Sequence, residues 1–125
     1  MAKRILVVDD DPVMIQFVVL RLQHAGYEVL TAADGEQGLQ QAKDLKPDLM
    51  VLDLAMPVMH GYEVCKAIRS DKAIADLKII VTSGKSYPSD IKTAKSVGAD
   101  RYLVKPYPVQ TLLTAIEELI GPQPK

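Results

Sequence analysis

The sequence predicts one α/β domain with a five-stranded parallel sheet and helices on both faces. Short β-branched runs alternate strictly with helical segments along the chain, and strict alternation favours a parallel sheet. The stretch 49–52 is apolar at every position, as expected for a central strand that is covered on both faces. The length of 125 residues and the apolar content of 48% fit one domain with a full core.

The composition excludes several function classes. The net charge of −1 shows no basic surface for nucleic acid, and the apolar runs are too short to span a bilayer. The N-terminus leads into a strand and does not resemble a signal peptide. The only cysteine, Cys65, cannot form an internal disulfide, which fits a reducing cytoplasm. We interpret Cys65 as an ordinary helix residue, because no His or second Cys lies near it in the sequence.

The first helix is the best marked element. A strand at 5–8 leads into Asp11-Pro12, and Pro is favoured at the first helical position after an Asp cap. The pattern predicts a helix over 12–25 that Gly26 ends. We expect much of this helix to be buried. Its apolar residues are Val13, Met14, Phe17, Val18 and Leu22.

Turn residues separate the remaining elements. The predicted strands are 27–32, 49–53, 78–82 and 101–104, and the predicted helices are 36–45, 62–70, 88–98 and 109–120. The last helix has the clearest apolar spacing, at Val109, Leu112, Leu113, Ile116 and Ile120. Right-handed crossovers leave few topologies, and the flavodoxin-like order 2-1-3-4-5 is the simplest for five strands.

Polar residues lie at the carboxyl ends of four of the predicted strands. They are Asp9 and Asp10 at the first, Asp53 at the third, Thr82 and Ser83 at the fourth, and Lys105 at the fifth. The carboxyl ends of parallel strands form the ligand crevice of such sheets. Adjacent carboxylates repel one another unless a cation lies between them, and Mg²⁺ suits a few carboxylates together with a phosphate. A carboxylate can also attack phosphorus, with a hydroxyl and a lysine to hold the phosphoryl oxygens.

Each of these residues alone has an ordinary explanation, such as a helix cap, a turn or a surface lysine. Their coincidence at the ends of separate strands favours a site. The chain resembles the response-regulator receiver domains of two-component signalling over residues 3–121. The resemblance rests on Val7-Val8-Asp9-Asp10, on Asp53-Leu54-Ala55-Met56-Pro57 with Met59 and Gly61, on the hydroxyl after the fourth strand, on Gly98-Ala99-Asp100 and on Lys105-Pro106.

The resemblance implies a role for each matching residue. Asp53 is expected to be the phosphoacceptor, with Asp9, Asp10 and the backbone carbonyl of Ala55 as Mg²⁺ ligands, Lys105 on the phosphoryl oxygens, a cis Lys105–Pro106 bond, and Tyr102 as the aromatic that turns inward on activation. Family separations from the phosphoacceptor and from the lysine favour Ser83 as the switch hydroxyl over Thr82. Alternation along a strand allows only one of the two to face the site.

Two departures from the family pattern are expected to matter. His60 stands where an Asp usually precedes Gly61, and we expect it to replace a cap or turn residue with little effect on function. A role for His60 as a metal ligand or proton relay is the alternative. Ala55, two residues past the phosphoacceptor, has no group to orient an attacking water. Lys85 lies at the second position that tunes hydrolysis in the family, and we expect slow autodephosphorylation.

The resemblance also implies partners. A histidine kinase or a phosphotransfer protein is expected to donate the phosphoryl group, and the surface of the fourth helix, fifth strand and fifth helix is expected to bind a downstream protein. The residues of interest on that surface are Lys92, Lys95, Tyr102 and Tyr107. We expect a cytoplasmic monomer or weak dimer, without direct contact to nucleic acid or membrane. The domain is expected to end at residue 121, with 122–125 as a tail or the start of a linker.

Three other functions fit parts of the pattern. A phosphohydrolase with an aspartyl-phosphate intermediate usually has a second acid two residues after its nucleophile, and Ala55 occupies that position. A flavin-binding module of this topology needs a hydroxyl-rich phosphate loop after the first strand, where this chain is acidic. An inactive receiver-like binding module would keep the fold without the phosphorylation.

Overall fold

The computed structural model describes residues 2–55, 59–85 and 87–121, which form five parallel strands and five helices. The strands are β1 (Arg4–Val8), β2 (Glu28–Ala32), β3 (Leu49–Asp53), β4 (Lys78–Ser83) and β5 (Arg101–Val104). The helices are α1 (Pro12–His24), α2 (Gly35–Leu45), α3 (Gly61–Ser70), α4 (Pro88–Ser96) and α5 (Val109–Ile120). The strand order is β2-β1-β3-β4-β5, so the predicted topology is confirmed.

The sheet separates two apolar clusters. The first core contains Leu6, Val8, Met50, Leu52, Ile79 and Val81 of the sheet with Val64, Cys65 and Ile68 of α3 and Ala94 of α4. The second core contains Ile5, Val7, Leu49, Val51 and Ile80 of the sheet with Val18 and Leu22 of α1 and Leu112, Ala115 and Ile116 of α5. Successive residues of a strand face opposite sides, so each central strand contributes to both cores and β3 is buried throughout.

The helix caps explain most of the boundaries. The Asp11 side chain accepts hydrogen bonds from the backbone N–H groups of Val13 and Met14, so α1 begins at Pro12 as predicted. The same helix ends at His24 with Ala25 as its cap. The fourth helix begins at Pro88 and ends at Ser96 with Val97 as its cap, and Gly98 follows the cap with a positive φ, in keeping with its predicted role as the residue that ends the helix.

One expectation for α1 was wrong. Val18 and Leu22 are buried, but the side chains of Val13 and Phe17 are 74% and 52% exposed. These two residues lie one helical turn apart on the face that turns away from the second core. The expectation counted every apolar residue as a core residue, whereas a helix that packs on one side of a sheet buries only one stripe.

Arg69 of α3 bonds to segments that lie just before the amino-terminal ends of β4 and β5. Its guanidinium donates hydrogen bonds to the backbone carbonyls of Ala75 (2.9 Å), Leu77 (2.6 Å) and Gly98 (2.6 Å). It also forms an ion pair of 3.1 Å with Asp100. The same Asp100 oxygen accepts the backbone N–H of Ile79 at 2.9 Å. The Arg69 side chain therefore links the end of α3 to the 71–77 connection and to the turn before β5, and its partner Asp100 extends the link to the start of β4.

We expect the Cys65 thiol to be inert in the folded protein. Cys65 is fully buried in the first core, and burial raises the pKa of its thiol to about 11. The reactive thiolate is therefore scarce at pH 8 and is also shielded from reagents. A disulfide reagent should label Cys65 at the rate of unfolding and label the chain rapidly in denaturant. Fast labelling of the folded protein would contradict this expectation.

Some expectations fall on residues outside the described part of the chain. They concern Met56-Pro57 of the loop after β3 and the segment 122–125. Within the described part, no helix has the length and the apolar character needed to cross a membrane.

Candidate functional site

Three carboxylates meet at the carboxyl end of the sheet. Strand β1 pairs with β3 in a register that sets Val8 beside Leu52, so Asp9, directly after β1, and Asp53, the last residue of β3, lie at the same ends of two neighbouring strands. Each of Asp9, Asp10 and Asp53 offers a carboxylate oxygen that lies within 4.8 Å of the other two. The structure thus brings together the three acidic residues that the sequence placed at the strand ends. Asp9 and Asp53 are buried, whereas Asp10 is exposed.

Lys105 reaches these carboxylates from the end of β5. Its Nζ lies 3.0 Å from Asp9 Oδ2 and 3.5 Å from Asp53 Oδ1, and the following peptide bond to Pro106 is cis. Burial lowers the pKa of Lys105, but the hydrogen bond to Asp9 and the charge of Asp53 outweigh that effect and raise the pKa above its ordinary value. The ammonium therefore stays charged beside the two buried carboxylates.

Opposing electrostatic effects act on the pKa of the Asp53 carboxyl group. Burial raises the pKa of Asp53, the positive charge of Lys105 opposes this, and the charge of Asp9 raises it further, so the net direction is upward. The backbone N–H of Ala55 also bonds to the carboxylate and lowers the pKa. Within the described residues, Lys105 is the only cation that forms an ion pair with Asp9 or Asp53, and Asp10 forms none. The cluster thus carries an excess of negative charge.

The donor set fits a hard divalent cation. All three clustered side chains are carboxylates, and hard oxygen ligands in small number are the set that Mg²⁺ takes together with water and phosphate oxygens. Asp9 is already oriented, since its Oδ1 accepts the backbone N–H of Asp11 at 3.0 Å. The excess of negative charge noted above is the physical reason for a cation to bind here.

The two candidate hydroxyls face different sides of the sheet. Thr82 pairs in register with Asp53 and lies two residues after Ile80, which belongs to the second core. Ser83 lies two residues after Val81 of the first core, and its backbone carbonyl accepts the N–H of Lys105 at 2.7 Å. Thr82 and Ser83 are both buried. The backbone of Ser83 is therefore bonded directly to the backbone of Lys105, whereas Thr82 pairs with Asp53.

Tyr102 is half-buried in this structure. Its ring lies against the first core, and its hydroxyl donates to the backbone carbonyl of Lys85 at 2.9 Å. Ser83 Oγ accepts the N–H of the same Lys85 at 3.1 Å. Lys85 is thus the residue through which the buried hydroxyl and the aromatic ring are connected.

His60 caps α3 and takes no part in the carboxylate cluster. Its Nδ1 accepts the backbone N–H of Tyr62 at 3.1 Å, and the Glu63 carboxylate accepts the N–H of His60 at 3.3 Å. This reciprocal pair is the arrangement of a capping box. His60 therefore fills the capping role expected for this position, and it is not among the grouped ligands Asp9, Asp10 and Asp53.

The sequence reasoning missed that Tyr107 borders the site. We expected Tyr107 on the output surface, but it is half-buried against the second core. Burial and the charges of Asp9 and Asp53 raise the pKa of its phenol to about 12. Its position two residues after Lys105 was the available signal, because a short connection keeps both residues near the same strand end.

Comparison with known proteins identifies the family and agrees with the fold. Residues 5–117 match the family model described as the response regulator receiver domain. The chain is 38% identical over 117 residues to the DNA-binding dual master transcriptional regulator RpaA of Synechocystis, covering 94% of this chain and 48% of that protein. It is 40% identical over 107 residues to the alkaline phosphatase synthesis transcriptional regulatory protein PhoP of Bacillus subtilis, covering 86% of this chain and 44% of that protein.

Solved structures give the same result. The chemotaxis protein CheY4 of Vibrio cholerae superposes with a TM-score of 0.90 at 37% identity, covering 95% of this chain and 99% of that chain. The receiver domain of the sensor histidine kinase PA1611 of Pseudomonas aeruginosa, with a magnesium ion in its active site cleft, has a TM-score of 0.89 at 28% identity. That match covers 97% of this chain and 99% of the PA1611 chain.

A flavodoxin-like sheet with clustered carboxylates and a lysine at its carboxyl edge defines a phosphorylation-operated signalling switch. The chain belongs to the response regulator receiver domain family of two-component signalling. It spans about half the length of the curated relatives it matches.

Proposed function

We propose that Asp53 accepts a phosphoryl group and that the modification changes the surface this chain presents to a partner. The observation that carries the proposal is the convergence of Asp9, Asp10 and Asp53 within 4.8 Å of one another. The Lys105 ammonium completes it, 3.0 Å from Asp9 and 3.5 Å from Asp53. A carboxylate nucleophile, a cation site and a fixed positive charge are the parts that phosphoryl transfer to an aspartate needs.

Mg²⁺ would be held by Asp9, Asp10, Asp53 and the backbone carbonyl of Ala55, where it supplies positive charge to the carboxylates and to the phosphoryl oxygens. Asp53 presents a carboxylate oxygen to phosphorus, and the bond from phosphorus to the donor's leaving group breaks as the new bond forms. Lys105 exchanges part of its contact with Asp53 for the transferred phosphoryl group. The phosphorylated site then carries roughly two negative charges.

Ser83 is our choice for the switch hydroxyl. Its backbone is bonded to Lys105, and its side chain is bonded to Lys85, whose carbonyl holds Tyr102. Movement of Ser83 toward a phosphoryl group breaks its bond with Lys85 and changes the anchor of the Tyr102 ring. This is a population shift between two arrangements, biased by a local charge.

A phosphohistidine of a histidine kinase or a phosphotransfer protein is the donor we propose, and slow autodephosphorylation then transfers the phosphoryl group from Asp53 to water. The downstream partner would bind the α4–β5–α5 face, where Lys92 and Lys95 are exposed and Tyr102 is half-buried. We infer that this takes place in the cytoplasm, in a monomer or weak dimer, with residues 1–121 as the receiver domain and 122–125 as a tail or linker.

RpaA is named as DNA-binding and is about twice as long as the matched region. Our expectation of no contact with nucleic acid therefore applies to this chain alone. A full-length protein that carries this domain in the manner of RpaA would bind DNA through residues beyond it.

Intact mass after incubation with acetyl phosphate tests the proposed function. We expect one added phosphoryl group in the presence of Mg²⁺ and none in the presence of a chelator, because the carboxylate cluster repels the donor without a cation. Borohydride reduction of the acyl phosphate followed by peptide mapping should locate the modification at Asp53. A folded protein that adds no phosphoryl group under these conditions would overturn the proposal.

Mutation can show whether Ser83 or Thr82 supplies the switch hydroxyl. We expect Ser83→Ala to slow phosphoryl uptake from acetyl phosphate about tenfold, since a hydrogen bond to a charged group contributes about 1.5–3 kcal/mol. Thr82→Val, which has nearly the same shape as the wild type, should leave the rate within about twofold because Thr82 faces the second core. The reverse order of the two effects would assign the switch hydroxyl to Thr82.

Replacing Ala55 should shorten the lifetime of the phosphoryl group. Ala55→Asn introduces an amide that can orient a water molecule toward phosphorus, and we expect severalfold faster loss of phosphate. The measurement is the decay of the phosphorylated mass after removal of the donor. Ala73→Asn is the matched control, because Ala73 is exposed in the 71–77 connection. An unchanged or longer lifetime in Ala55→Asn would contradict the assignment.

The family match does not favour the phosphohydrolase hypothesis, and Ala55 lacks the acid that such an enzyme uses. An inactive receiver-like binding module is the remaining competitor. The acetyl phosphate experiment separates the two, because an inactive module would fold normally and remain unmodified.

A further inference from the structure

We propose that the Tyr62 hydroxyl acts as a latch on α4. Its hydrogen bond holds α4 against α3 in the resting arrangement and limits how readily the α4 surface rearranges. The observation is a hydrogen bond of 3.2 Å from the Tyr62 hydroxyl to the backbone carbonyl of Asp90, in the first turn of α4. The inference rests on the proposed function, because the rearrangement that it limits is the one that follows phosphorylation of Asp53.

Two tyrosines hold the start of α4 from different elements. Tyr102 of β5 donates to the carbonyl of Lys85 at 2.9 Å, just before the helix. Tyr62 of α3 donates to the carbonyl of Asp90, just inside the helix. Both rings pack against the first core. The carbonyls of Lys85 and Asp90 therefore each accept a hydrogen bond from a phenol hydroxyl, and the two hydroxyls come from different elements.

Few other contacts hold α4. Ala94 is its only buried residue, and the helix has no side-chain cap at Tyr87, which is 71% exposed. The side-chain hydrogen bonds of Thr93 and Ser96 stay within the helix. Among the described residues, Tyr62 is the only side chain of another element that forms a hydrogen bond with α4. A helix with one buried residue depends strongly on such a contact.

Tyr62 is also connected to the phosphorylation site. It follows Gly61, whose backbone N–H donates to the carbonyl of Leu54 at 3.1 Å. A Cβ at position 61 would come within 2.8 Å of Leu54 Cα and 3.0 Å of the Asp53 carbonyl oxygen. The start of α3 is thus packed directly on the backbone that carries the phosphoacceptor. A shift of the backbone at Asp53 therefore moves the start of α3, and with it the Tyr62 side chain that bonds to α4.

The phenol is in the form that the latch needs. Burial, with smaller contributions from Tyr102 and Asp90, raises the pKa of Tyr62 above its ordinary value. The hydroxyl therefore keeps its proton at neutral pH and donates to the carbonyl. Removal of this bond frees α4 without emptying the core, because a Phe at this position retains the ring.

Tyr62→Phe tests the latch, and Tyr87→Phe is the matched control because it removes an exposed hydroxyl from the same helix end. In the unphosphorylated protein we expect amide hydrogen exchange in α4 to become about fivefold faster in Tyr62→Phe, as for the loss of one net hydrogen bond. Exchange in α5 and in the Tyr87→Phe control should stay at the wild-type rate. Unchanged exchange in α4 would overturn the latch.

The second readout is the rate of phosphoryl uptake from acetyl phosphate. A latch that favours the resting arrangement predicts severalfold faster uptake in Tyr62→Phe than in the wild type and in Tyr87→Phe. Faster exchange without faster uptake would overturn the coupling to Asp53 and leave only a structural bond. If the wild type takes up no phosphoryl group, the proposed function fails, and the exchange measurement still reports the latch separately.

Discussion

Asp53→Asn should take up no phosphoryl group and should be more stable than the wild type in the absence of Mg²⁺. The first effect follows from loss of the nucleophilic carboxylate. The second follows from the electrostatics of the site, where Asp9, Asp10 and Asp53 lie together and the Lys105 ammonium pairs with Asp9 and Asp53. Removal of one buried negative charge relieves repulsion, and we expect a gain on the order of 1 kcal/mol.

Thermal melts with and without Mg²⁺ measure the second effect. The wild type should gain stability on addition of Mg²⁺, since a ligand that binds only the folded state stabilises it. Asp53→Asn should gain less, because it has lost one carboxylate of the cluster. Asp76→Asn is the control for the same chemical change at an exposed position. Equal Mg²⁺ stabilisation of all three proteins would show that the cluster does not bind the ion.

Arg69→Met should lower the free energy of unfolding by about 3 kcal/mol. The Arg69 side chain is 25% exposed, so the carbonyls of Ala75, Leu77 and Gly98 would lose a charged donor in a place where water replaces it poorly. Asp100 would also lose its ion pair. Met retains the apolar stem of the side chain, so the change reports the guanidinium and not the packing.

Urea denaturation measures the loss for Arg69→Met, and the melting temperature should fall by about 10 °C for a chain of this size. Arg101→Met is the matched control. Arg101 is exposed, and its side chain forms one hydrogen bond of 2.9 Å, with the carbonyl of Asp100. We expect a change of less than about 0.5 kcal/mol in that control. Similar losses in both variants would mean that the bonds of Arg69 contribute no more than those of a surface arginine.

The sequence by itself determined the architecture. Strict alternation of strands and helices, with right-handed crossovers, leaves the observed strand order as the simplest solution. Caps and turns are local, so Asp11-Pro12 set the start of α1 and Gly121 followed the end of α5 as predicted. The strand ends also predicted the meeting of Asp9, Asp53 and Lys105, because parallel strands present their carboxyl ends at one edge of the sheet.

Only the tertiary structure decided which apolar residues are buried and which polar groups meet across the chain. Val13 and Phe17 look like core residues in a one-dimensional pattern, but the single face of α1 that meets the sheet excludes them. The bonds of Arg69 with Gly98 and of Tyr62 with Asp90 join positions about 30 residues apart. No local spacing encodes such contacts, since they depend on how α3, α4 and the sheet edges pack in three dimensions.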